Sequence, residues 1–313
     1  MKRLLILLVL AAVACAPKKN QPPAVRDFPM AEVPTMFTEP EQRLAWLSEH
    51  FWDRYCDTSR LYLCDSLTIN GVKAEEVEKQ VGLFATMLQQ EPLEAGQKAM
   101  ARCFARLEAF QKAYPEGNVY KEVSALVARY FYDPNSPVRS EDLYLPFVSS
   151  LAVSPLTEEA LRPGFVWDAR NCALNRTGTT AADFVFVDTA GKKRSLHGIK
   201  ARWLLLIFGN PDCNACQELL TQMEASPAVS ELIRKGTLKV ADIYIDEDLS
   251  LWKERMASYP KTWINGYDPT FTIRTDRLYA VRALPSLYLL DEEKKVLLKD
   301  ALPEQVLGLL ESL

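Results

Sequence analysis

The sequence has few residues of the kinds that hold zinc. It contains 2 His and 7 Cys among 313 residues. A structural zinc site needs about four nitrogen or sulfur ligands, commonly two Cys-x-x-Cys pairs or one pair with added His. Cys213 and Cys216 form the one such pair, and His197 precedes it without a partner at a suitable spacing. We therefore expect no metal.

An excess of positive charge is also missing. The chain has 37 Lys and Arg against 41 Asp and Glu, a formal net charge of -4. Nucleic-acid-binding domains carry a basic face, so we expect no nucleic-acid partner. No nucleotide-binding, phosphate-cradling or hydrolase motif is visible, and we expect no organic cofactor. The hydrophobic and charged fractions, 48% and 25%, are those of a globular protein, and the length suggests about two domains.

Long apolar runs are absent beyond the N-terminus. There, two basic residues precede the apolar stretch from Leu4 to Ala12, and small residues lead to Cys15. This pattern indicates a secretory signal, and the Cys after small residues resembles the cleavage box of bacterial lipoproteins. That resemblance implies a signal peptide over 1–14 and a lipid on Cys15. The alternative, a retained membrane helix, would need ~20 apolar residues, more than this stretch has.

Export would place the protein in the cell envelope, where disulfides can persist. Residues 15–38 are rich in Pro and predict a lipidated tether. The residues directly after Cys15 carry no acidic run. By resemblance to lipoproteins of the Bacteroidetes group, this favours an anchor that faces the periplasm.

Residues 39–168 repeat apolar residues at helical spacing. In "EQRLAWLSEHFWDRYC", for example, Leu44, Leu47 and Phe51 share one face. Pro and Gly separate successive segments of this kind, so the region is predicted to be an all-helical domain. His50, on its first helix, is either a functional residue or a partly buried structural one.

Residues 169–313 have a different pattern. "AADFVFVDTAGKKRSL" predicts a strand–turn–strand unit, and "RWLLLIFG" is typical of a strand buried on both faces. Further strands alternate with helices up to a terminal helix in "PEQVLGLLESL". This alternation predicts an α/β domain, and the whole chain is of the α+β class.

The cysteine pair lies between a predicted buried strand and a predicted helix. Cys213 would stand at the helix N-terminus, where unpaired N–H groups and the helix dipole stabilise a thiolate. Cys216, one helical turn further on, could resolve a mixed disulfide formed by Cys213. The spacing predicts Cys213 as nucleophile and Cys216 as resolving residue, with their reversible disulfide as the redox group.

From about Thr179 to Leu313 the chain resembles thioredoxin-fold domains of the TlpA-like, envelope-exported group. "CNAC" occupies the redox motif, "VADIYID" resembles the next core strand, and "VRALPSLYLLD" resembles the segment with the cis-proline. The resemblance implies a central mixed sheet flanked by helices. It also implies that Pro285 follows a cis bond and lies against the dithiol, and that the backbone of Leu284 contacts substrate.

The same resemblance implies an envelope thiol–disulfide oxidoreductase that takes part in cell redox homeostasis. It would reduce protein disulfides and be recharged by a membrane electron donor. The preceding block resembles an uncharacterised helical domain that Bacteroidetes lipoproteins join to a TlpA-like domain.

Three positions depart from the thioredoxin pattern. Asp212 replaces a common aromatic residue, and its carboxylate would oppose thiolate formation at Cys213. Ile207 stands where thioredoxins often have a buried Asp. Asp242, on the following strand, is hypothesised to take over that function and to shuttle a proton to Cys216.

Other interpretations remain open on the sequence alone. The fold could serve as a non-catalytic binding or scaffold module with an idle dithiol. A peroxidase is disfavoured because no Thr shortly precedes the reactive Cys.

Cys56 could pair with Cys64, or could be a buried small hydrophobe. Cys172 is either an electron relay or a buried or loop thiol. The segment from Leu249 to Tyr279 is interpreted as an insertion that shapes partner choice or caps the sheet.

Overall fold

The computed structural model describes residues 25–59, 62, 64, 65, 67–256 and 259–313. The predicted signal peptide and the predicted lipid site Cys15 lie outside the described residues. Within the described ranges, no helix has both the length and the apolar character to cross a membrane.

The N-terminal domain consists of packed helices and one small β-hairpin. Its elements in chain order are α1 (Pro40–His50), β1 (Thr68–Ile69), β2 (Val72–Lys73), α2 (Ala74–Leu88), α3 (Leu93–Ala113), α4 (Val119–Phe131), α5 (Glu141–Val153) and α6 (Arg162–Cys172). The helical segments were predicted. The antiparallel pair β1–β2 corrects the all-helical prediction, because two-residue strands are too short for an alternating pattern to appear.

The core of this domain is rich in aromatic side chains and reaches beyond the predicted limits of 39–168. Phe28 is buried and stacks on Tyr55 with ring centroids 4.9 Å apart. At the other end, Cys172 is fully buried in the same core. Residues from Phe28 onward are therefore part of the folded domain and not of the tether predicted over 15–38, because burying an apolar ring stabilises the folded state.

The C-terminal domain is a sheet with helices on both faces. Its elements are β3 (Val185–Asp188), β4 (Lys193–Ser195), β5 (Trp203–Gly209), α7 (Asn214–Ala225), α8 (Pro227–Arg234), β6 (Leu238–Tyr244), α9 (Leu249–Arg255), β7 (Ile264–Tyr267), α10 (Thr272–Thr275), β8 (Ser286–Leu290), β9 (Val296–Leu298) and α11 (Pro303–Glu311). The strand order is β4-β3-β7-β6-β5-β8-β9.

The sheet is mixed, as expected. β5, β6 and β7 are parallel neighbours, and the remaining pairs are antiparallel. Separate apolar clusters cover its two faces. Because β5 is buried on both faces, its sequence is a continuous apolar run. The α+β class of the chain is thus confirmed.

Two details differ from the sequence interpretation. The helix expected after the cysteine pair is divided into α7 and α8, because Ser226 caps the second helix and Pro227 occupies its first turn. The presumed insertion from Leu249 to Tyr279 contains β7, which lies between β3 and β6. This segment therefore completes the sheet, and only its remainder is free to shape partner choice.

Candidate active site

The two cysteines occupy chemically different positions at the start of α7. Cys213 is the N-cap residue, and its Sγ accepts the N–H of Cys216 at 3.2 Å. Cys213 is half-buried, whereas Cys216 is 7% exposed. Burial, and then the hydrogen bond to Cys213, raise the pKa of Cys216 far above its usual value. The outer sulfur is thus accessible to a disulfide, and the inner one remains a thiol at neutral pH.

The segment before β8 brings a backbone acceptor to the outer sulfur. The Leu284–Pro285 peptide bond is cis, as the resemblance implied. The Sγ of Cys213 lies 3.6 Å from the carbonyl oxygen of Leu284. The structure therefore brings together Cys213, Cys216, Leu284 and Pro285, although Leu284 lies 71 residues after Cys213 in the sequence.

Asp242 is a buried residue of β6, the strand next to the one that leads to the dithiol. It is the register partner of Ile207 in the parallel pair β5–β6, so a carboxylate at either position occupies nearly the same place in the sheet. Burial raises the pKa of Asp242 to about 7. Its charge makes a smaller contribution to the raised pKa of Cys216, after burial and the hydrogen bond to Cys213.

Gly209, the last residue of β5, makes room for this carboxylate. A Cβ at position 209 would lie 2.8 Å from Oδ1 of Asp242, closer than van der Waals contact allows. We expect Gly209→Ala to lower the free energy of unfolding by about 1–3 kcal/mol, because it overpacks the site. Urea denaturation would measure this.

The matched control is Gly308→Ala, on α11, where an added Cβ has nothing within 4 Å. This variant should be neutral or gain up to about 1 kcal/mol, since Ala favours the helix over Gly. Equal losses in both variants would contradict the steric account at Gly209.

Asp212 has a counter-charge that the sequence interpretation did not include. Its Oδ1 lies 3.7 Å from Nε of Arg255 on α9. Both side chains are about half exposed, so the pair is weak, but a cation balances the carboxylate beside Cys213. Arg255 lies far along the chain from the cysteines, and no local pattern could have revealed it.

Tyr259 is a further residue that the sequence interpretation did not assign to the site. It is buried, and burial raises its pKa, with added contributions from Asp242, Cys216 and Cys213. Its ring belongs to an apolar cluster with Trp252 and Met256. This cluster packs against Leu220 of α7, the helix that begins at the cysteine pair.

A cleft of about 290 Å³ opens beside the dithiol, between the two domains. The C-terminal domain contributes Ala215 of α7 together with Leu284 and Pro285. The N-terminal domain contributes residues of the α4–α5 connection, among them Pro134 and Asn135. Nothing in the sequence indicated that the helical domain reaches the active site.

His50 belongs to a separate polar cluster of the helical domain. Its Nδ1 is 2.8 Å from Oδ2 of Asp53, and its ring stacks on Trp46. Asp53 also binds Arg102 and Arg106. The charged groups of this cluster are paired with one another. His50 is therefore explained as a structural residue of the helical domain.

The remaining cysteines lie outside the dithiol site. All six cysteines that the structure describes are free thiols, so Cys56 and Cys64 are unpaired. Cys56, Cys103 and Cys172 are buried, and burial raises the pKa of each. Cys172 lies within the helical core, which does not suit an electron relay. Across the described residues, no group of three or more His, Cys, Asp or Glu is placed to hold a metal ion.

Comparison with known proteins matches both parts of the chain. Residues 13–162 match a family model described as "Domain of unknown function (DUF5106)". The whole fold is similar to a crystal structure of a thioredoxin-like protein from Bacteroides caccae ATCC 43185, with 34% identity and a TM-score of 0.78. That match covers 92% of this chain and 99% of the other. The thiol-disulfide oxidoreductase ResA of a Bacillus cereus strain is 27% identical over 162 residues, 49% of this chain and 86% of its own length.

Proposed function

This chain belongs to the thioredoxin-like proteins and is a thiol–disulfide oxidoreductase, and we propose that it reduces disulfides of client proteins in the cell envelope. The observation that carries the proposal is the asymmetry of the cysteine pair. An accessible sulfur at a helix N-cap stands beside a buried thiol one turn away, which is the arrangement that attack and resolution require.

The reaction proceeds in two exchanges. The Cys213 thiolate attacks one sulfur of the client disulfide, forms a mixed disulfide and releases the first client thiolate. Cys216 then loses its proton and attacks the Cys213 sulfur, which releases the second client thiolate. The client gains two electrons, and the protein is left with a Cys213–Cys216 disulfide.

Asp242 is proposed to take the proton that Cys216 loses during resolution. A carboxyl with a pKa of about 7 is well matched to proton transfer near neutral pH. It is buried beside a thiol whose own pKa is strongly raised, so without a base the second exchange would be slow.

The direction of electron flow is proposed to be reductive. The C-terminal domain resembles envelope-tethered proteins of the TlpA-like group, which reduce specific partner proteins, and this resemblance supports the reductive direction. Each cycle then needs a supply of electrons, for which we propose a membrane donor on the same side of the membrane.

The proposed setting is a membrane surface outside the cytoplasm, on its periplasmic face. The N-terminal pattern of basic, apolar and small residues before Cys15 supports export and a lipid on that cysteine. The anchor would keep the dithiol near its electron donor.

A redox titration tests the proposed function. The protein from about residue 20 is equilibrated in dithiothreitol buffers, free thiols are alkylated, and the modified cysteines are mapped by mass spectrometry. We expect a reversible two-electron couple at Cys213 and Cys216, closer to the roughly -270 mV of thioredoxin than to the roughly -120 mV of a strong oxidase. A couple near the upper value would contradict the reductive direction, and an absent couple would contradict catalysis.

A further inference from the structure

Arg282, shortly before the cis-proline, is held by the helical domain. Its Nε donates to Oε1 of Glu141 at 2.7 Å, and it also donates to the backbone carbonyl of Tyr132. Its guanidinium carbon lies 4.0 Å from the centre of the Tyr132 ring. A third hydrogen bond, 3.2 Å to Oδ2 of Asp300, is made within the C-terminal domain. The planar fork of Arg is suited to hold such divergent acceptors.

The residue after the cis-proline belongs to the same network. Ser286 donates to Oδ1 of Asp300 at 2.8 Å. The backbone carbonyl of Asp300 accepts from Nε of Arg139, at the end of the α4–α5 connection, at 3.1 Å. The segment with Leu284 and Pro285 is thus tied to the helical domain on both of its sides.

A buried ion pair connects the two domains beneath this segment. Nζ of Lys299 lies 2.9 Å from Oε2 of Glu141, and the two side chains are 2% and 1% exposed. Removing such charges from water costs free energy that apolar packing would not cost. The pair is therefore poor evidence for stability, and this buried pairing of opposite charges is better explained as a means of fixing one domain arrangement.

The same connection of the helical domain also faces the start of α7 and the cis-proline segment across the cleft. Pro134 and Asn135 lie on one side, and Ala215 and Leu284 lie on the other. An extended polypeptide that presents a disulfide to Cys213 and contacts the backbone of Leu284 would enter this space. A small disulfide would reach Cys213 without filling it.

We propose that the helical domain completes the client-binding site of the dithiol. Through Arg282 it positions the Leu284–Pro285 segment, and at Asn135 it provides the wall for the polypeptide that flanks the client disulfide. This inference rests on the proposed function, and it identifies an extended polypeptide around a disulfide-bonded cysteine as the preferred substrate over small disulfides. Arg282 acts as a positioning residue, since it contacts neither the reacting sulfurs nor the client.

The first test is Arg282→Lys in the full chain. This substitution keeps the positive charge but loses the several N–H donors of the planar guanidinium group. Two probes are compared, a peptide disulfide with several residues on each side of its cysteine, and 2-hydroxyethyl disulfide. We expect kcat/KM for the peptide to fall at least about tenfold, as small misplacements do. The rate with 2-hydroxyethyl disulfide, the alkylation rate of Cys213 and the dithiol potential should remain unchanged.

Arg277→Lys is the matched control. Arg277 also contacts the helical domain, stacking on Trp167 and donating to Asn171, but it is not part of the network around the cis-proline. It should leave both substrates unaffected. Equal losses with both probes in Arg282→Lys, or a peptide rate like that of the wild type in a folded variant, would overturn the positioning role.

The second test narrows the cleft without touching the network. Asn135 is exposed, so Asn135→Trp should fold normally. We expect it to raise KM for the peptide severalfold, with kcat and the small-disulfide rate unchanged. Glu159→Trp, also exposed on the helical domain, should have no effect. An unchanged KM for the peptide in Asn135→Trp would overturn the proposal that Asn135 lines the client-binding site. A wild-type protein inert towards both disulfides would instead refute the proposed function itself.

Discussion

Cys213→Ser is expected to lower the rate of client disulfide reduction by roughly 10³-fold or more, since a serine hydroxyl is not ionised at neutral pH and is a poor nucleophile. Cys216→Ser should fail differently. It retains the accessible sulfur, so it forms the mixed disulfide but cannot resolve it. Each variant is incubated with a peptide disulfide and analysed by mass spectrometry under non-reducing conditions. We expect no adduct on Cys213→Ser and a stable adduct on Cys216→Ser.

Cys64→Ser is the control for this pair. Cys64 is a half-buried free thiol of the helical domain, and its loss should leave the reduction rate unchanged. A stable adduct on Cys213→Ser would mean that another cysteine is the nucleophile. Full activity in Cys216→Ser would mean that resolution does not depend on the buried thiol.

Asp242→Asn is expected to make the protein more stable at alkaline pH. The carboxyl of Asp242 has a pKa of about 7 in the folded protein, against a reference value of 3.8. Between these values the folded state retains a proton that the unfolded state has released, so the free energy of unfolding falls as the pH rises. At about 1.4 kcal/mol per pKa unit, the loss approaches about 4 kcal/mol above pH 7. Asn does not titrate, so the variant escapes this loss.

Urea denaturation at pH 5 and pH 8 measures this effect. The gain of Asp242→Asn over the wild type should be about 1–2 kcal/mol at pH 5 and up to about 4 kcal/mol at pH 8. Asp212→Asn, at an exposed carboxylate next to the dithiol, should change stability by no more than about 0.5 kcal/mol at either pH. A gain independent of pH would argue against titration of Asp242.

The same variant should slow catalysis while it stabilises the fold. Without a proton acceptor beside Cys216, resolution of the mixed disulfide should slow by roughly 10²-fold, and initial attack by Cys213 should be unaffected. Rapid mixing with a peptide disulfide, followed by acid quench, would separate the two steps. Equal slowing of both steps would indicate a general disturbance of the site.

Helical spacing, strand alternation and the Cys-x-x-Cys placed between a strand and a helix were evident in the sequence, because they depend on neighbours along the chain. These patterns determined the two-part architecture and the identity of the dithiol, whereas the cis-proline segment was identified only through the resemblance to TlpA-like domains. The division of α7 from α8 at Ser226 and Pro227 also had a local signal, which the interpretation of one continuous helix overlooked.

Tertiary contacts decided the rest. The register of β5 with β6 sets Asp242 beside Ile207, α9 brings Arg255 to Asp212, and β7 inserts between two strands that precede it in the chain. The pairing of Glu141 with Arg282 and Lys299 joins elements of different domains. Such pairings depend on which surfaces pack together, and the sequence around each of these residues does not indicate which residue it will contact.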